Sequence, residues 1–434
     1  MDYLDIKKRI PVMGNYDVIV AGGGTSGICA AVAAAREGVS VALVERYGIL
    51  GGNLTSGHIG PILGVVGKGT MRDELLKLLG VPDNDMIGKT ALAHDVENAK
   101  LVIDNFISSE QIDVLMQTSV SDVIKEGDIL KGLILSGKEG LFAIYADVVI
   151  DATGDGDVAF YAGVPYEIGR CTDGLMQPVT IEFTVSGIDE SKGIVCIGDV
   201  DDVELNGEQF LKFTERCSKN GVLPRDLAAV RLHPTTIPGE RRVNTTQVNG
   251  INAVEPEQLF LAEVELRRQI DILIEFFQKH LPGYENCKLA GSGDTLGVRE
   301  SRRIMGEYLL NSADIVSGRT FKDVVVHKAD FIIDIHNPAG AGQAEPIIQY
   351  VKPYDIPYRC FVPQKVENLL VVGRCISGSH RAHASYRVMS ICMAMGQAIG
   401  IAAALCSLKG CSPRKLPTTE IQKSLISKGI ELFD

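Results

Sequence analysis

Residues 16–53 constrain this chain more than any other stretch: YDVIVAGGGTSGICAAVAAAREGVSVALVERYGILGGN. An apolar run (17–20) leads directly into the glycine-rich GGGTSG. An alanine-rich helical stretch (28–36) follows, and a second apolar run (40–44) closes at Glu45. Strand, tight turn, helix and strand in this order make the opening of a dinucleotide-binding unit. Gly22 supplies the turn off the strand, Gly24 lets backbone approach a pyrophosphate, and Gly27 lets the helix pack close to the sheet. Unpaired N–H groups at the helix start, with the positive end of its dipole, then face the phosphates. Glu45 stands where a carboxylate grips ribose hydroxyls. That carboxylate disfavours a 2′-phosphate, although adjacent Arg46 favours one. Beyond it, Gly51, Gly52 and Gly57 are spaced so that backbone passes close under a large flat ligand.

Two later segments repeat the theme. In ADVVIDATGDGDVAF a buried strand (147–150) runs into a turn where Thr153 and Gly154 bring backbone against a ligand lying on the first turn. In VENLLVVGRCI (366–376) another buried strand ends at Gly373-Arg374. A loop carrying two histidines and two arginines and then a long apolar helix follow it, which makes an anion-attracting helix end. Between these motifs the periodicity predicts helices over 71–79 and 94–109 and a loop over 81–90. Short strands at 113–117, 119–125, 129–135 and 141–145 read as a small antiparallel insertion. From about residue 166 to 350 the composition shifts to mixed strand and helix with no further nucleotide turn. Residues 256–280 form a long amphipathic helix there. Two basic clusters flank it, GERRVNTTQVNG (239–250) and GVRESRRIMGEY (297–308). Arg302 and Arg303 fall three and four residues after Arg299, so they share or flank one helical face that binds carboxylate or phosphate, or pairs in solvent with Glu300 and Glu307. The expected organisation is a nucleotide-binding domain over 1–165, an inserted α+β substrate domain over 166–350, and a closing part over 351–434.

A chain of 434 residues with 45% hydrophobic and 23% charged residues builds two or three ordinary globular cores. A net charge of −12 and the lack of basic runs with interleaved aromatics argue against nucleic acid or an anionic membrane as the main partner. The ten cysteines never fall as CxxC, so neither a zinc ribbon nor an iron–sulfur cluster is expected, nor any other metal. Free thiols and an N-terminus without a signal-peptide core point to the cytoplasm. Residues 388–408 carry no charge and are long enough to span a bilayer. Their Gly, Ala, Ser and Met content and Gln397 favour a helix buried inside a globular domain instead.

GGGTSG, ERYGILGG, ATGDGD and LLVVGRCISGSHRAHASYRVMSICMAMGQAIG, in this order and spacing, resemble the FAD-dependent oxidoreductases of the glutathione-reductase-like superfamily. More narrowly the chain resembles a bacterial group distantly akin to fumarate reductase flavoproteins and the heterodisulfide reductase flavin subunit. The resemblance implies an α/β fold: a Rossmann-like FAD-binding domain of glutathione-reductase type with an inserted α+β domain. It implies that Gly22, Gly24, Thr25, Ser26 and Gly27 hold the pyrophosphate, Glu45 the adenosine ribose, and Arg46 the neighbourhood of the adenine. Gly52, Asn53 and Thr55 would line the isoalloxazine or ribityl chain, and Ala152, Thr153 and Gly154 would touch the cofactor from the second motif. Gly373 and Arg374 would meet the ribityl–phosphate region. A helix beginning near Ser385, with Arg387 close by, would face the flavin's N1–C2 edge. The chain departs from the superfamily in having Arg374 where many relatives have an acidic residue. It also lacks cluster-ligating cysteines and a second GxGxxG.

In such proteins the flavin takes or gives a hydride at N5, and the protein supplies orientation, charge and water exclusion. The expected activity is a dehydrogenase or reductase acting on a small organic acid or polar metabolite. Arg242, Arg299, Arg303 and Arg381 are candidate anchors; His380 and His383, then His58, are candidate proton carriers. Rival readings are a flavoprotein subunit of an electron-transfer complex and a non-catalytic flavin-binding protein. The electron donor or acceptor is unspecified, and a homo-oligomer is allowed.

Overall fold

A computed structural model of the chain describes residues 7–82, 92–197, 203–340, 342 and 349–433. Its central sheet begins with β1 (Val12–Ala21), which pairs in parallel with β2 (Val41–Val44); β2 in turn pairs in parallel with β3 (Ile112–Leu115). The helix between β1 and β2, α1 (Thr25–Ala35), is buried over nine of its residues, so alanine suits it: larger side chains would hold it off the sheet. On the other side β1 pairs in parallel with β6 (Gly140–Asp151). The N-terminal half of β6 belongs to an antiparallel meander with β4 (Ser119–Glu126) and β5 (Ile129–Gly137); its last residues pair instead, in parallel, with the strand Leu369–Val371. The result is a mixed sheet whose parallel inner strands are buried at their C-terminal ends, where their Val/Ile/Leu runs lie.

Two differences from the sequence expectations appear here. The strand-like run at 113–117 is not part of the antiparallel insertion: Ile112–Leu115 extends the parallel sheet beside β2. The expected loop at 81–90 lies outside the described residues apart from its first two. The helices at 71–79 and 256–280 have the bounds that their periodicity predicts, and the one at 94–109 runs over Val96–Ser108 behind its Asp95 cap.

Residues Met176–Cys287 gather a second core, with Ile168 and Val298 packed at its margins. It holds an antiparallel sheet in the order Leu232–Pro234, Glu240–Val243, Phe183–Ser186, Lys288–Ser292, and the helix Pro256–His280. Ile304, Ile315, Val324–Val326 and Ile335 pack into the first core instead. The hydrophobic insertion therefore stops well short of 350. The basic cluster around Arg302 is not helical. Arg302–Ile304 pairs antiparallel with Tyr166–Ile168, and this extended backbone sends Arg302 and Arg303 to opposite sides.

The long apolar stretch is the helix Met389–Lys409, and 83% of its most apolar segment is buried. It lies against α1 at very short range. A side-chain carbon on Gly396 would stand 2.2 Å from the Ser26 carbonyl, and one on Gly400 2.2 Å from the Ala30 carbonyl. Among the described residues it is the one helix with the length and hydropathy of a membrane span.

Candidate functional site

Parallel register puts three strand ends side by side. Ala21 pairs with Asp151 across β1 and β6, and Asp151 pairs with Val371 across β6 and the closing strand. Ala152 N–H donates to the Ala21 carbonyl at 2.8 Å, and Val372 N–H to that of Asp151 at 2.9 Å. The turns leaving these ends, at Gly22, Thr153 and Gly373, thus share one edge of the sheet, where ligands of open α/β sheets bind.

The edge is shaped for close approach of backbone. Gly22 has φ +105°, and a Cβ there would lie 2.4 Å from the Ala152 carbonyl oxygen; a Cβ on Gly373, at φ +88°, would lie 2.7 Å from Ser26 Oγ. Gly24, the N-cap of α1, has an ordinary extended backbone, and nothing stands within 4 Å of where its Cβ would be. No side chain caps α1 and no acidic residue stands in its first turn. The N–H groups of Thr25, Ser26 and Gly27 are therefore free of side-chain competition for an anion. Arg374 lies over Gly154 and holds Asp155 at 3.2 Å, while its Nη1 is buried with no hydrogen-bond partner among the described residues. A pyrophosphate fits this edge: a bare helix end, an open glycine and an unengaged guanidinium nitrogen.

Other expected contacts are committed within the protein. Glu45 accepts from Gly23 N–H at 2.6 Å and Tyr47 N–H at 2.8 Å, which ties the end of β2 to the first turn. Arg46 reaches Asp155 at 3.4 Å and stacks over Tyr47. Burial pushes the Asp155 carboxyl up, but Arg374 and Arg46 outweigh it and hold it below the usual range. Gly52 at φ +56° lies on Gly24, and Asn53 is half-buried beside Gly57. Thr55 is fully buried with its hydroxyl donating to the Leu50 carbonyl, so it shapes the loop from inside. Ser385 does not begin a helix. It sits within the short helix His380–Tyr386, its buried hydroxyl between the Phe331 carbonyl and Tyr354; the long helix starts at Met389. Arg387, in the break between these helices, binds Asp334 at 2.9 Å and leaves a buried Nε without a partner among the described residues.

The candidate proton carriers and anchors divide into two groups. In one, His380 Nδ1 lies 2.8 Å from Glu300, and Arg303 pairs with the same carboxylate while donating to the carbonyls of Gly378 (3.0 Å) and Gly169 (2.8 Å). Arg303 is thereby fixed as a brace between segments. His383 is buried against Tyr386; burial first, then Arg303, Arg387 and Arg374, pushes its pKa well below the ordinary histidine value. It is a neutral imidazole at physiological pH. Arg381 donates to Gln349.

In the other group the inserted sheet meets the loop after Gly52. Arg242 donates to Thr184 Oγ1 at 2.8 Å and to the His58 carbonyl. His58 has a left-handed φ of +57°, and its ring approaches Gly291, where a Cβ would be 3.3 Å from Nε2. Burial, then Arg242, drives its pKa down to about 3. Gly60 N–H donates to Glu182 at 2.7 Å. Arg299 donates to the Pro178 carbonyl at 2.7 Å; burial, then Arg387, lowers it to about 9.

Glu182 is the residue that sequence reasoning missed. Its signal was present: in VTIEFTV the odd positions Ile181, Phe183 and Val185 fill the second core, so the period of two turns Glu182 and Thr184 to the opposite face. That face is also buried, against the first domain.

A family profile described as FAD dependent oxidoreductase matches residues 17–425. A soluble pyridine nucleotide transhydrogenase of Mycobacterium tuberculosis is 28% identical over 222 residues, 47% of this chain and 46% of the relative. A thiamine thiazole synthase of Methanococcus vannielii is 34% identical over 149 residues, 32% of this chain and 56% of the relative. The chain spans about half the length of these curated relatives. Among solved structures, a geranylgeranyl bacteriochlorophyll reductase-like protein from Thermoplasma acidophilum aligns over 96% of this chain and 84% of its own, at 14% identity and TM-score 0.46.

Proposed function

The chain belongs to the FAD dependent oxidoreductase family, and from that premise we propose that it transfers a hydride between flavin N5 and a small organic acid or polar metabolite. Bound FAD supplies the two-electron chemistry; the residues of this chain position the substrate and manage its charge and protons. In this reading residues 22–27 and the 152–154 and 373–374 turns hold the cofactor. The sheet inserted from 166 onward covers the site.

The observation that carries the substrate class is the charge of the buried seam between the two cores. Arg242, Arg299 and Arg231 stand around the buried Glu182, Arg387 and Asp334 lie near Arg299, and Glu240 and Asp95 face Arg242. Buried guanidiniums that line a ligand site favour an anionic group, which supports the organic-acid reading. Arg303, braced by Glu300 and two carbonyls, contributes structure to this reading and Arg242 and Arg299 contribute the binding.

The test is anaerobic mixing of the yellow holoprotein with a panel of hydroxy, amino and unsaturated acids, following loss of the flavin absorbance. Bleaching by members of the acid panel is expected. Bleaching by sugars or amines while every acid fails would refute the reading.

A further inference from the structure

Glu182 and Arg242 are both buried and bond to the same loop, Glu182 directly before the strand Phe183–Ser186 that pairs with the strand of Arg242, yet no ion pair joins them among the described residues. One carboxylate oxygen of Glu182 accepts the Gly60 N–H, and its other oxygen has no hydrogen bond among the described residues. Arg242 spends Nε on Thr184 and Nη1 on His58, and Nη2 makes no hydrogen bond among the described residues. A buried acid and a buried base without a mutual ion pair, each with an unbonded terminal atom, are groups that a bridging ligand would satisfy.

We propose that Glu182, Arg242 and Arg299 form a subsite for a 2-hydroxy acid, in which the arginines take the carboxylate and the unengaged oxygen of Glu182 takes the hydroxyl proton. This deepens the organic-acid reading above and rests on it. The balance would be complete with FAD bound: the cofactor would accept the hydride from the hydroxyl-bearing carbon, Glu182 would take the O–H proton, and C=O would form. The 2-hydroxy acid would thus be oxidised to a 2-oxo acid, with bound FAD as the two-electron oxidant. A 2-amino acid suits the subsite less, because its ammonium would add a positive charge beside two arginines.

The surroundings single out Glu182 for the proton. Burial raises its carboxyl to about 7, opposed by Arg242, the Gly60 N–H, Arg299 and Arg231, which are the charged and donor groups facing it. Three buried histidines nearby are pushed away from that range: burial lowers His58 to about 3, His94 to about 4 and His336 to about 3. A base that titrates near neutrality suits proton transfer at physiological pH.

The experiment compares wild-type holoprotein with Glu182→Gln and Glu182→Asp. Under anaerobic conditions a 2-hydroxy acid bleaches the wild type with a rate that rises through about pH 7. Glu182→Gln should slow this by about 100-fold or more and abolish the pH dependence, and Glu182→Asp should keep it. A second readout needs no turnover. Oxalate puts a second carboxylate where the hydroxyl would lie, so its binding at pH 8 should draw a proton onto Glu182. Calorimetry in two buffers of different ionisation enthalpy measures that uptake, which Glu182→Gln should lose. Oxalate binding without proton uptake in the wild type, or bleaching by 2-amino acids alone, would overturn the subsite and leave the organic-acid reading standing. Failure of oxalate and of every acid to bind or bleach would bring down that reading itself. Should Glu182→Gln lose its FAD, proton uptake by the wild type and the Glu182→Asp profile decide the matter.

Discussion

Gly22 and Gly24 stand two residues apart and have different reasons to be glycine. Gly22 combines φ +105° with a neighbouring carbonyl that leaves no room for Cβ, so the fold itself demands it. Gly24 has an ordinary backbone and open space, so only a ligand has use for its missing side chain. Gly24→Ala should keep the thermal stability of the cofactor-free protein and weaken FAD binding by about tenfold or more, a loss of about 1.4 kcal/mol. Gly22→Ala should lower both. Equal FAD affinity in Gly24→Ala and wild type would remove the pyrophosphate from that position. At this scale the sequence was legible where backbone geometry dictates the residue, as in the glycine turns. It was opaque where function hangs on a contact across the chain. His383 and His58 attracted notice as histidines, yet burial keeps both neutral, and the proposed proton acceptor is Glu182, hidden in an apolar stretch.

Elements were legible when their period and length agreed. The helix at 256–280 needs only its own amphipathicity and a proline at its first turn. The Met389–Lys409 helix needs only its length and lack of charge to be identified as a helix; its burial depends on α1. Gly396 and Gly400 let the two backbones meet, and the alanines of α1 accept them. Gly400→Ala adds one methyl against the Ala30 carbonyl and should cost about 1–3 kcal/mol in denaturant unfolding. An unchanged midpoint would show that the helices separate more freely than this packing implies. The cluster at Arg299–Arg303 misleads for a physical reason. Arginines at such spacing satisfy a helical face equally well, and only pairing with Tyr166–Ile168, more than 130 residues earlier, makes the segment a strand.

On the scale of the whole molecule, the loop carrying His58 and Gly60 bonds to Arg242 and Glu182 of the inserted part, and the strand ends proposed to face the cofactor all belong to the first core. Binding FAD should therefore slow hydrogen exchange most at Val18–Ala21, Val149–Asp151 and Leu369–Val371, and less at Phe183–Ser186 in the inserted sheet. Exchange mass spectrometry with and without FAD measures this. Uniform protection of both sheets would mean that the cofactor orders the molecule as one body. The sequence by itself determined the nucleotide turns, the helices with clear periods and the return of the chain to its first sheet, because each is encoded in residues close together along the chain. Only the tertiary structure decided which charged groups are buried together. Glu182, Arg242 and Arg299 come from separate segments, and their protonation and freedom to bind depend on the solvent that two packed cores exclude from between them.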